Sequence, residues 1–202
     1  MRSSPWHLMA ATARLTRAER SAQTRDELLG AAQRRFFDDG YHATTLGDIA
    51  DDAGYTKGAV YSTFGSKAEL FLALFDDIVD SRLASARAII DADDSGSEAS
   101  LRALAEQPAE ERNARFLLLS IEFWVHAARE AARLEASSER YRRLRASIAE
   151  LAPRDSPLDP QRWALVTLAL SNGFALERLI DPDDVPGDLM ADVQARLLQP
   201  ER

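Results

Sequence analysis

The sequence predicts an all-α protein, and three observations support that prediction. Apolar residues recur three and four positions apart through most of the chain and do not alternate, which is the period of a helix. Alanine, leucine and arginine, which are strong helix formers, are abundant. Most of the 8 prolines stand between the periodic segments, where one helix would end and another begin.

The first predicted helix covers residues 16–39. Leu28, Ala32 and Phe36 repeat every four residues and therefore share one face, with Leu29 beside them. Gly40 follows at a position where a left-handed residue commonly closes a helix. We therefore expect this helix to end at Gly40.

Two short helices come next, each preceded by a threonine. Thr45 is a natural N-cap with Asp48 three residues later, and it precedes an apolar set at helical spacing: Leu46, Ile49, Ala50 and Ala53. Gly54 ends this helix, and Thr56 caps another whose buried side carries Val60 and Phe64.

A fourth helix is predicted for residues 67–90. Its apolar face is too broad to be covered by three small helices alone and includes Leu70, Phe71, Leu74, Phe75, Ile78, Val79 and Leu83. This helix is expected to connect two parts of the molecule.

The rest of the chain is predicted to be helical as well. Residues 91–97 are acidic and small, which is typical of a loop. Beyond them we expect helices at residues 98–106, 109–132, 138–151, 160–180 and 187–198. The chain is thus divided into a basic, flexible N-terminal arm at residues 1–20, a three-helix unit at 21–66 and a larger helical domain at 67–202.

Charge is distributed unevenly along the chain. The net charge of −8 arises after residue 70, since residues 1–70 hold 9 basic and 9 acidic side chains and residues 71–202 hold 16 and 24. Only three acids stand among the first 35 residues, which contain seven arginines: Arg2, Arg14, Arg17, Arg20, Arg25, Arg34 and Arg35. This end is a candidate face for a polyanion, although a solvated helix with a basic tail has the same pattern.

Several kinds of protein are excluded or disfavoured. The chain has no cysteine, so it has no disulfide, thiolate nucleophile or cysteine zinc site. Neither a convincing signal sequence nor 18 uninterrupted apolar residues is present, and we expect a cytoplasmic protein without a membrane segment. The common nucleophile-elbow, phosphate-loop, dinucleotide and zinc-protease motifs are missing, and His7, His42 and His126 lie far apart in sequence, which argues against an enzyme.

The strongest motif joins the two short helices. Ala50 leaves room where the helices cross, Gly54 permits the left-handed turn, and Val60 inserts a branched apolar side chain into the first helix. This spacing is typical of a helix-turn-helix that binds DNA. Two helices joined by a glycine also occur in proteins that never contact DNA.

Residues 24–75 resemble the N-terminal signature of the TetR family of transcriptional regulators. The matching run is TRDELLGAAQRRFFDDGYHATTLGDIADDAGYTKGAVYSTFGSKAELFLALF, with the family's first helix, its GY-x-x-TT entry, its IA-x-x-AG turn and its KGAVY recognition helix in order. The resemblance implies an N-terminal DNA-binding domain at residues 21–66 and a C-terminal helical domain that binds an effector and dimerises.

The resemblance also implies roles for individual residues. It assigns base contacts in the major groove to Lys57, Gly58, Ser62 and Thr63. It assigns phosphate contacts to Thr45, Tyr61 and Lys67. Structural alternatives are a core aromatic for Tyr61, a helix cap for Thr45 and a surface charge for Lys67. The chain departs from the family at Gly47, inside the second helix, and at Thr63, where histidine or asparagine is common; the latter leaves the contact pattern there uncertain.

In the C-terminal domain the resemblance assigns dimerisation to residues 163–180 and 187–198, with Ser171, Gly173 and Ala175 small enough for close approach. Packing of these helices within one chain is the alternative. A set of apolar residues with a few polar ones could line an effector cavity: Phe71, Leu74, Phe75, Ile78, Phe116, Ser120, Phe123, Trp124, His126, Trp163, Asn172 and Phe174. An aromatic stripe at helical spacing is, however, more often plain core. Glu122 and His126 lie one helical turn apart and could orient a ligand or supply two ligands of a metal, although two ligands are too few to indicate a metal site. The default interpretation is a salt-bridged or hydrogen-bonded pair.

Together these features predict a homodimeric repressor that leaves a palindromic double-stranded operator when it binds a small, largely hydrophobic effector. No cofactor, metal or membrane partner is expected. The other interpretation is an all-helical ligand- or partner-binding module with a non-functional helix-turn-helix.

Overall fold

The computed structural model describes residues 16–92, 110–129, 131–154, 156–181, 183–186 and 189–198, and its regular structure there is entirely α-helical. The prediction of an all-α fold is confirmed. The described helices are α1 (Arg17–Ala43), α2 (Leu46–Ala53), α3 (Lys57–Phe64), α4 (Lys67–Ala92), α5 (Glu110–Ala127), α6 (Ala131–Ala149), α7 (Pro160–Ile180) and α8 (Leu189–Leu198). The helix predicted at residues 98–106 and the first 15 residues of the predicted arm lie outside these ranges.

Helix α1 begins at a capping box and bends near its end. The Thr16 hydroxyl accepts a hydrogen bond from the N–H of Glu19, and the Glu19 carboxylate accepts one from the N–H of Thr16. Gly40 interrupts the helix with φ +80° and ψ 169°, as its residue type predicts, but a further turn over residues 41–43 follows before the chain leaves the helix. Because residues 17–20 belong to α1, that part of the predicted arm is helical.

The two short helices have the ends that the sequence predicts. Thr45 and Asp48 form a capping box at the start of α2, and Thr56 accepts a hydrogen bond from the N–H of Ala59 at the start of α3. Gly54 ends α2 in the left-handed conformation, with φ +72° and ψ 27°. The turn is closed by a 2.8 Å hydrogen bond from the N–H of Tyr55 to the carbonyl of Ala50.

One hydrophobic core joins the three N-terminal helices to the larger domain. Leu28 of α1, Val60 of α3, Leu70 of α4 and Phe123 of α5 are each fully buried in the same cluster. The described helices on either side of residue 66 are therefore packed together and not joined by a bare linker. A second, smaller cluster surrounds Trp163 where α6 meets α7.

The boundary between α5 and α6 differs from the prediction. Helix α5 ends at Ala127, whereas the sequence predicted a helix up to residue 132, and α6 begins at Ala131, whereas the sequence predicted a start at 138. The N–H of Arg129 bonds to the carbonyl of His126, which is a turn and no longer an α-helical bond. No glycine or proline marks this break, so the residue types alone did not predict it.

Candidate nucleic-acid interface

Helix α3 presents an exposed face on a rigid base. Val60 is fully buried and Phe64 nearly so, while Ala50 of α2 is buried beside them in the same core. This is the arrangement that the spacing of Ala50, Gly54 and Val60 predicts for a helix-turn-helix. On the opposite side of α3, Lys57, Gly58, Tyr61 and Ser62 are exposed.

Tyr61 and Lys57 lie together on this exposed face. The Tyr61 side chain is 49% exposed although it is a large aromatic residue. The ammonium of Lys57 lies 5.9 Å from the centre of its ring. A cation and a phenol hydroxyl are thus side by side, and both are suited to phosphate oxygens or base edges.

The hydroxyl residues of this region already make hydrogen bonds within their own helices. Ser62 Oγ and Thr63 Oγ1 both donate to the carbonyl of Ala59, at 2.9 and 2.8 Å. Thr63 is half-buried, so of the two only Ser62 is fully exposed. Each oxygen keeps its lone pairs, and both hydroxyls can therefore accept but are not free donors.

Thr45 acts as the cap of α2. Its hydroxyl donates to Asp48 Oδ2 at 2.7 Å and accepts from the N–H of Asp48 at 3.2 Å. The hydrogen bonds from the Thr45 side chain and backbone lower the pKa of the Asp48 carboxyl. The structural role predicted for Thr45 is present, and its phosphate contact stays a prediction.

Lys67 is directed toward the end of α1. Its ammonium donates to the carbonyl of His42 at 3.2 Å and lies 4.5 Å from the centre of the Tyr41 ring. Burial of this half-buried side chain lowers the pKa of the Lys67 ammonium. The predicted phosphate contact of Lys67 remains a prediction, since its described contacts are with α1.

Arg25 is a basic residue near α3 that sequence reasoning did not single out. Its guanidinium lies 5.0 Å from the centre of the Phe64 ring, and its side chain is exposed. By contrast, Arg34 and Arg35 form ion pairs with Asp52, at 2.7 and 3.7 Å. The only signal in the sequence was the arginine cluster itself, which does not reveal which members have acidic partners.

Some of the predicted effector residues form a chain of aromatic contacts in the C-terminal domain. Phe75 stacks on Phe116 with ring centres 5.4 Å apart and meets Trp124 edge-on at 6.3 Å. Trp124 meets Tyr141 at 5.0 Å, and Asn172 Nδ2 donates to Tyr141 Oη at 3.0 Å. Tyr141 links these residues and was missed, because a single tyrosine on a charged helix gives no signal.

Other predicted effector residues lie elsewhere. Trp163 is 2% exposed but packs with Ala149 and Ala164 in the second cluster, away from the aromatic chain. Phe123 stacks on Phe71 at 4.3 Å inside the main core. The expectation that all these residues line one cavity is not supported by these contacts, since spacing along a helix does not reveal which neighbouring helix covers each residue.

Four further predicted effector residues occupy ordinary helical or core environments. The buried Ser120 hydroxyl donates to the carbonyl of Phe116 at 2.7 Å. Ile78 is half-buried against the main core, which also contains Leu74. Phe174 is half-buried on α7.

Glu122 and His126 both face the end of α1. Glu122 Oε2 accepts a hydrogen bond from the N–H of Tyr41 at 2.8 Å. The ring of His126 lies 5.8 Å from that of Tyr41 and 5.4 Å from that of His42. Within the part of the chain that the structure describes, no three potential metal ligands are grouped together.

Helix α7 exposes an apolar stripe along one side. Its members repeat every three or four residues and are all exposed: Leu165, Ala169, Gly173, Leu176 and Ile180. Of the three small residues predicted to allow close approach between subunits, Gly173 lies in this stripe, whereas Ser171 and Ala175 are half-buried on neighbouring sides. By length and composition alone, α7 could also cross a membrane, which for one helix is weak evidence.

Two family models match the sequence. Residues 28–74 match the family described as bacterial regulatory proteins, tetR family. Residues 97–200 match the C-terminal domain described as a BetI-type transcriptional repressor. Together they cover both the helix-turn-helix and most of the larger domain.

Individual proteins agree with these matches. The HTH-type transcriptional regulator TtgR of Pseudomonas putida is 31% identical over 192 residues, which cover 87% of this chain and 89% of that protein. Among solved structures, a transcriptional regulator from Rhodococcus sp. Rha1 has a TM-score of 0.67 at 21% identity, over 88% of this chain and 99% of that one. NalD, described as the secondary repressor of the MexAB-OprM multidrug efflux pump in Pseudomonas aeruginosa, has a TM-score of 0.58 at 22% identity, over 91% and 100%. At these identities the solved structures establish a shared fold.

Proposed function

The chain belongs to the TetR family of bacterial regulatory proteins, and we propose that it represses transcription by holding operator DNA until a small molecule binds. The observation that carries this function is the exposed face of α3, held in place by the buried Val60. The family consists of regulatory transcription factors and not of enzymes. We place the protein in the cytoplasm, where its operator would be.

We assign base recognition to the exposed face of α3. Lys57 can reach the O6 and N7 acceptors of a guanine, and Gly58 lets the backbone come close to the base edges. Ser62 and Thr63, whose protons are already donated to Ala59, would act as acceptors. Such contacts distinguish one operator sequence from another.

Phosphate contacts would fix the register of α3 in the groove. We assign them to Tyr61, Thr45 and Lys67, and we add Arg25, whose exposed guanidinium lies over Phe64 at the end of α3. Lys67 would have to leave or share its contact with the carbonyl of His42. These contacts contribute affinity that falls as salt rises.

The operator can be found and tested directly. Full-length protein is used to select duplexes from a random DNA pool, and we expect an enriched palindrome whose half-sites are about one helical turn apart. Tyr61→Ala should bind the enriched duplex roughly tenfold more weakly, because it loses a contact to the DNA. Fluorescence anisotropy over a range of salt concentrations measures both the affinity and its salt dependence.

Tyr61→Phe is the matched variant for this experiment, because it removes only the hydroxyl. If the hydroxyl contacts a phosphate, Tyr61→Phe should bind as weakly as Tyr61→Ala. Absence of any enriched sequence at low salt would contradict the proposed function. That result would favour a helical ligand- or partner-binding module.

We propose that a second copy of this chain covers the stripe on α7. The stripe of Leu165, Ala169, Gly173, Leu176 and Ile180 is apolar and exposed, and Ala169 and Gly173 at its centre allow two helices to approach closely. A two-fold dimer would present two α3 helices to successive major grooves, which matches a palindrome. A subunit interface explains this stripe without a membrane.

Ala169→Glu should separate the subunits. The change introduces an unpaired carboxylate at the centre of the stripe in both copies, so we expect dimer affinity to fall roughly 100-fold or more. Sedimentation velocity over a range of protein concentrations measures this. Ala84→Glu makes the same change at an exposed position of α4 and should leave the dimer intact; equal behaviour of the two variants would argue against the stripe as the interface.

We propose a largely hydrophobic, aromatic effector that binds beside the aromatic chain of Phe75, Phe116, Trp124 and Tyr141. Aromatic rings supply apolar area and stacking surfaces, and the paired Tyr141 hydroxyl and Asn172 amide supply a polar point that orients a ligand. The role of NalD as the repressor of a multidrug efflux pump is compatible with this chemistry. Of the other predicted members, Ile78, Ser120, Phe123 and His126 would act by shaping α4 and α5, and the position of Trp163 favours a core role.

A further inference from the structure

A single carboxylate on α5 holds the backbone of α1. Glu122 Oε2 accepts the N–H of Tyr41 at 2.8 Å, across 81 positions of sequence. Tyr41 directly follows Gly40, where α1 leaves the helical conformation. The contact therefore lies at the bend near the end of α1, the first helix of the DNA-binding unit (residues 21–66).

The fit between α1 and α5 at this point is close. A Cβ atom built on Gly40 would lie 3.2 Å from both carboxylate oxygens of Glu122. A methyl group here would crowd the carboxylate by a few tenths of an ångström, and only glycine readily adopts the positive φ of this residue. The carboxylate thus contacts the backbone itself and not a movable side chain.

Further contacts from α5 and from α4 secure the last turn of α1. The Tyr41 ring meets Phe123 of α5 edge-on at 5.2 Å. From α4, the Lys67 ammonium lies over the same ring and donates to the carbonyl of His42. Lys67 and Glu122 also attract each other electrostatically. The turn over residues 41–43 is thereby held between α4 and α5.

Helix α5 also carries proposed effector residues. Phe116 and Trp124, which belong to the aromatic chain, stand on the same helix as Glu122. A ligand that shifts α5 would move the carboxylate that holds Tyr41. Movement at the effector site would then reach the DNA-binding unit through α1.

We propose that Glu122 is a positioning residue for operator binding, which ties the end of α1 to α5 and so fixes the orientation of the helix-turn-helix. This inference rests on the proposed function. Glu122 contacts no DNA in this mechanism and acts only through the backbone of α1. Without it, the DNA-binding unit samples more orientations and must be ordered when it binds, which weakens binding.

Hydrogen exchange of the Tyr41 amide tests the contact. The chain has only 4 tyrosines, so ¹⁵N-tyrosine labelling gives four amide signals, from Tyr41, Tyr55, Tyr61 and Tyr141. In Glu122→Ala, the Tyr41 amide should exchange about tenfold faster, because it loses a hydrogen bond to a charged acceptor. Exchange at Tyr141 on α6 should not change. Glu122→Gln keeps an acceptor oxygen and should restore slow exchange.

Operator affinity tests the consequence. Glu122→Ala should bind the duplex selected from the random pool roughly five- to tenfold more weakly than the parent protein. The salt dependence of its binding should equal the parent's, because no phosphate contact is lost. Glu139→Ala, which removes an exposed carboxylate of α6, is the control and should bind like the parent. If Glu122→Ala fails to fold, Glu122→Asp shortens the side chain by one methylene and replaces it in both measurements.

Three results would overturn the inference, and they can be told apart. Unchanged exchange at Tyr41 in Glu122→Ala would show that the carboxylate does not hold α1. Faster exchange at all four tyrosines would indicate general destabilisation and not positioning. Faster exchange at Tyr41 alone with parental operator affinity would leave the contact real but without effect on DNA binding. Failure of the parent protein to select any DNA would instead remove the proposed function.

Discussion

Replacing Phe123 by alanine is expected to lower the free energy of unfolding by about 3–5 kcal/mol. Phe123 is fully buried, stacks on Phe71 at 4.3 Å and meets Tyr41 edge-on at 5.2 Å. Its removal would leave a cavity between α4, α5 and the end of α1, and the aromatic contacts would be lost as well. Urea denaturation followed by circular dichroism, at one fixed protein concentration, measures the change.

Val125→Ala is the control for this experiment. Val125 lies on the same helix but is 57% exposed, so we expect a change within about 0.5 kcal/mol. Similar losses in the two variants would mean that α5 does not pack with Phe123 inward. Such a result would contradict the position of Phe123 in the core that joins the DNA-binding unit to the larger domain.

Gly40→Ala is expected to cost about 2–4 kcal/mol of stability. Gly40 has φ +80° and ψ 169°, a conformation that other residues rarely adopt. Its new Cβ would also lie 3.2 Å from both Glu122 carboxylate oxygens and would disturb the hydrogen bond to Tyr41. Thermal and urea denaturation measure the total.

Two further variants separate these causes. Gly54 also has a positive φ, of +72°, but nothing lies within 4 Å of a Cβ atom built on it. Gly54→Ala should therefore lower the free energy of unfolding by only about 1 kcal/mol. In a Glu122→Ala background the steric part of the Gly40→Ala cost should disappear, which a double-mutant cycle detects. Equal costs for Gly40→Ala in both backgrounds would mean that backbone strain alone is responsible.

The helix-turn-helix was predictable because its determinants are local. Thr45 and Thr56 cap their helices with groups three residues away, and Gly54 supplies its turn without help from the rest of the chain. The position of Val60 likewise follows from its distance to Gly54. Residues close in sequence are close in space here, so spacing was sufficient.

Features that depend on distant residues were not predictable. The first helix was expected to end at Gly40, but a further turn follows, in which the N–H of Tyr41 is bound by Glu122, 81 residues away. The direction of Lys67 toward His42 depends on how α4 meets α1. Trp163 and Tyr141 could not be assigned to a cluster until the crossing of α6 and α7 was known.

If the exposed stripe of α7 is the dimer interface, control of the operator becomes sensitive to the amount of protein in the cell. If two chains must associate before two α3 helices can occupy a palindrome, then below the dimer dissociation constant the concentration of the DNA-binding species rises with the square of the total concentration. A twofold drop in synthesis would then lower that species about fourfold. The threshold at which a promoter is silenced would be set by the packing of Ala169 and Gly173 as much as by any base contact of α3.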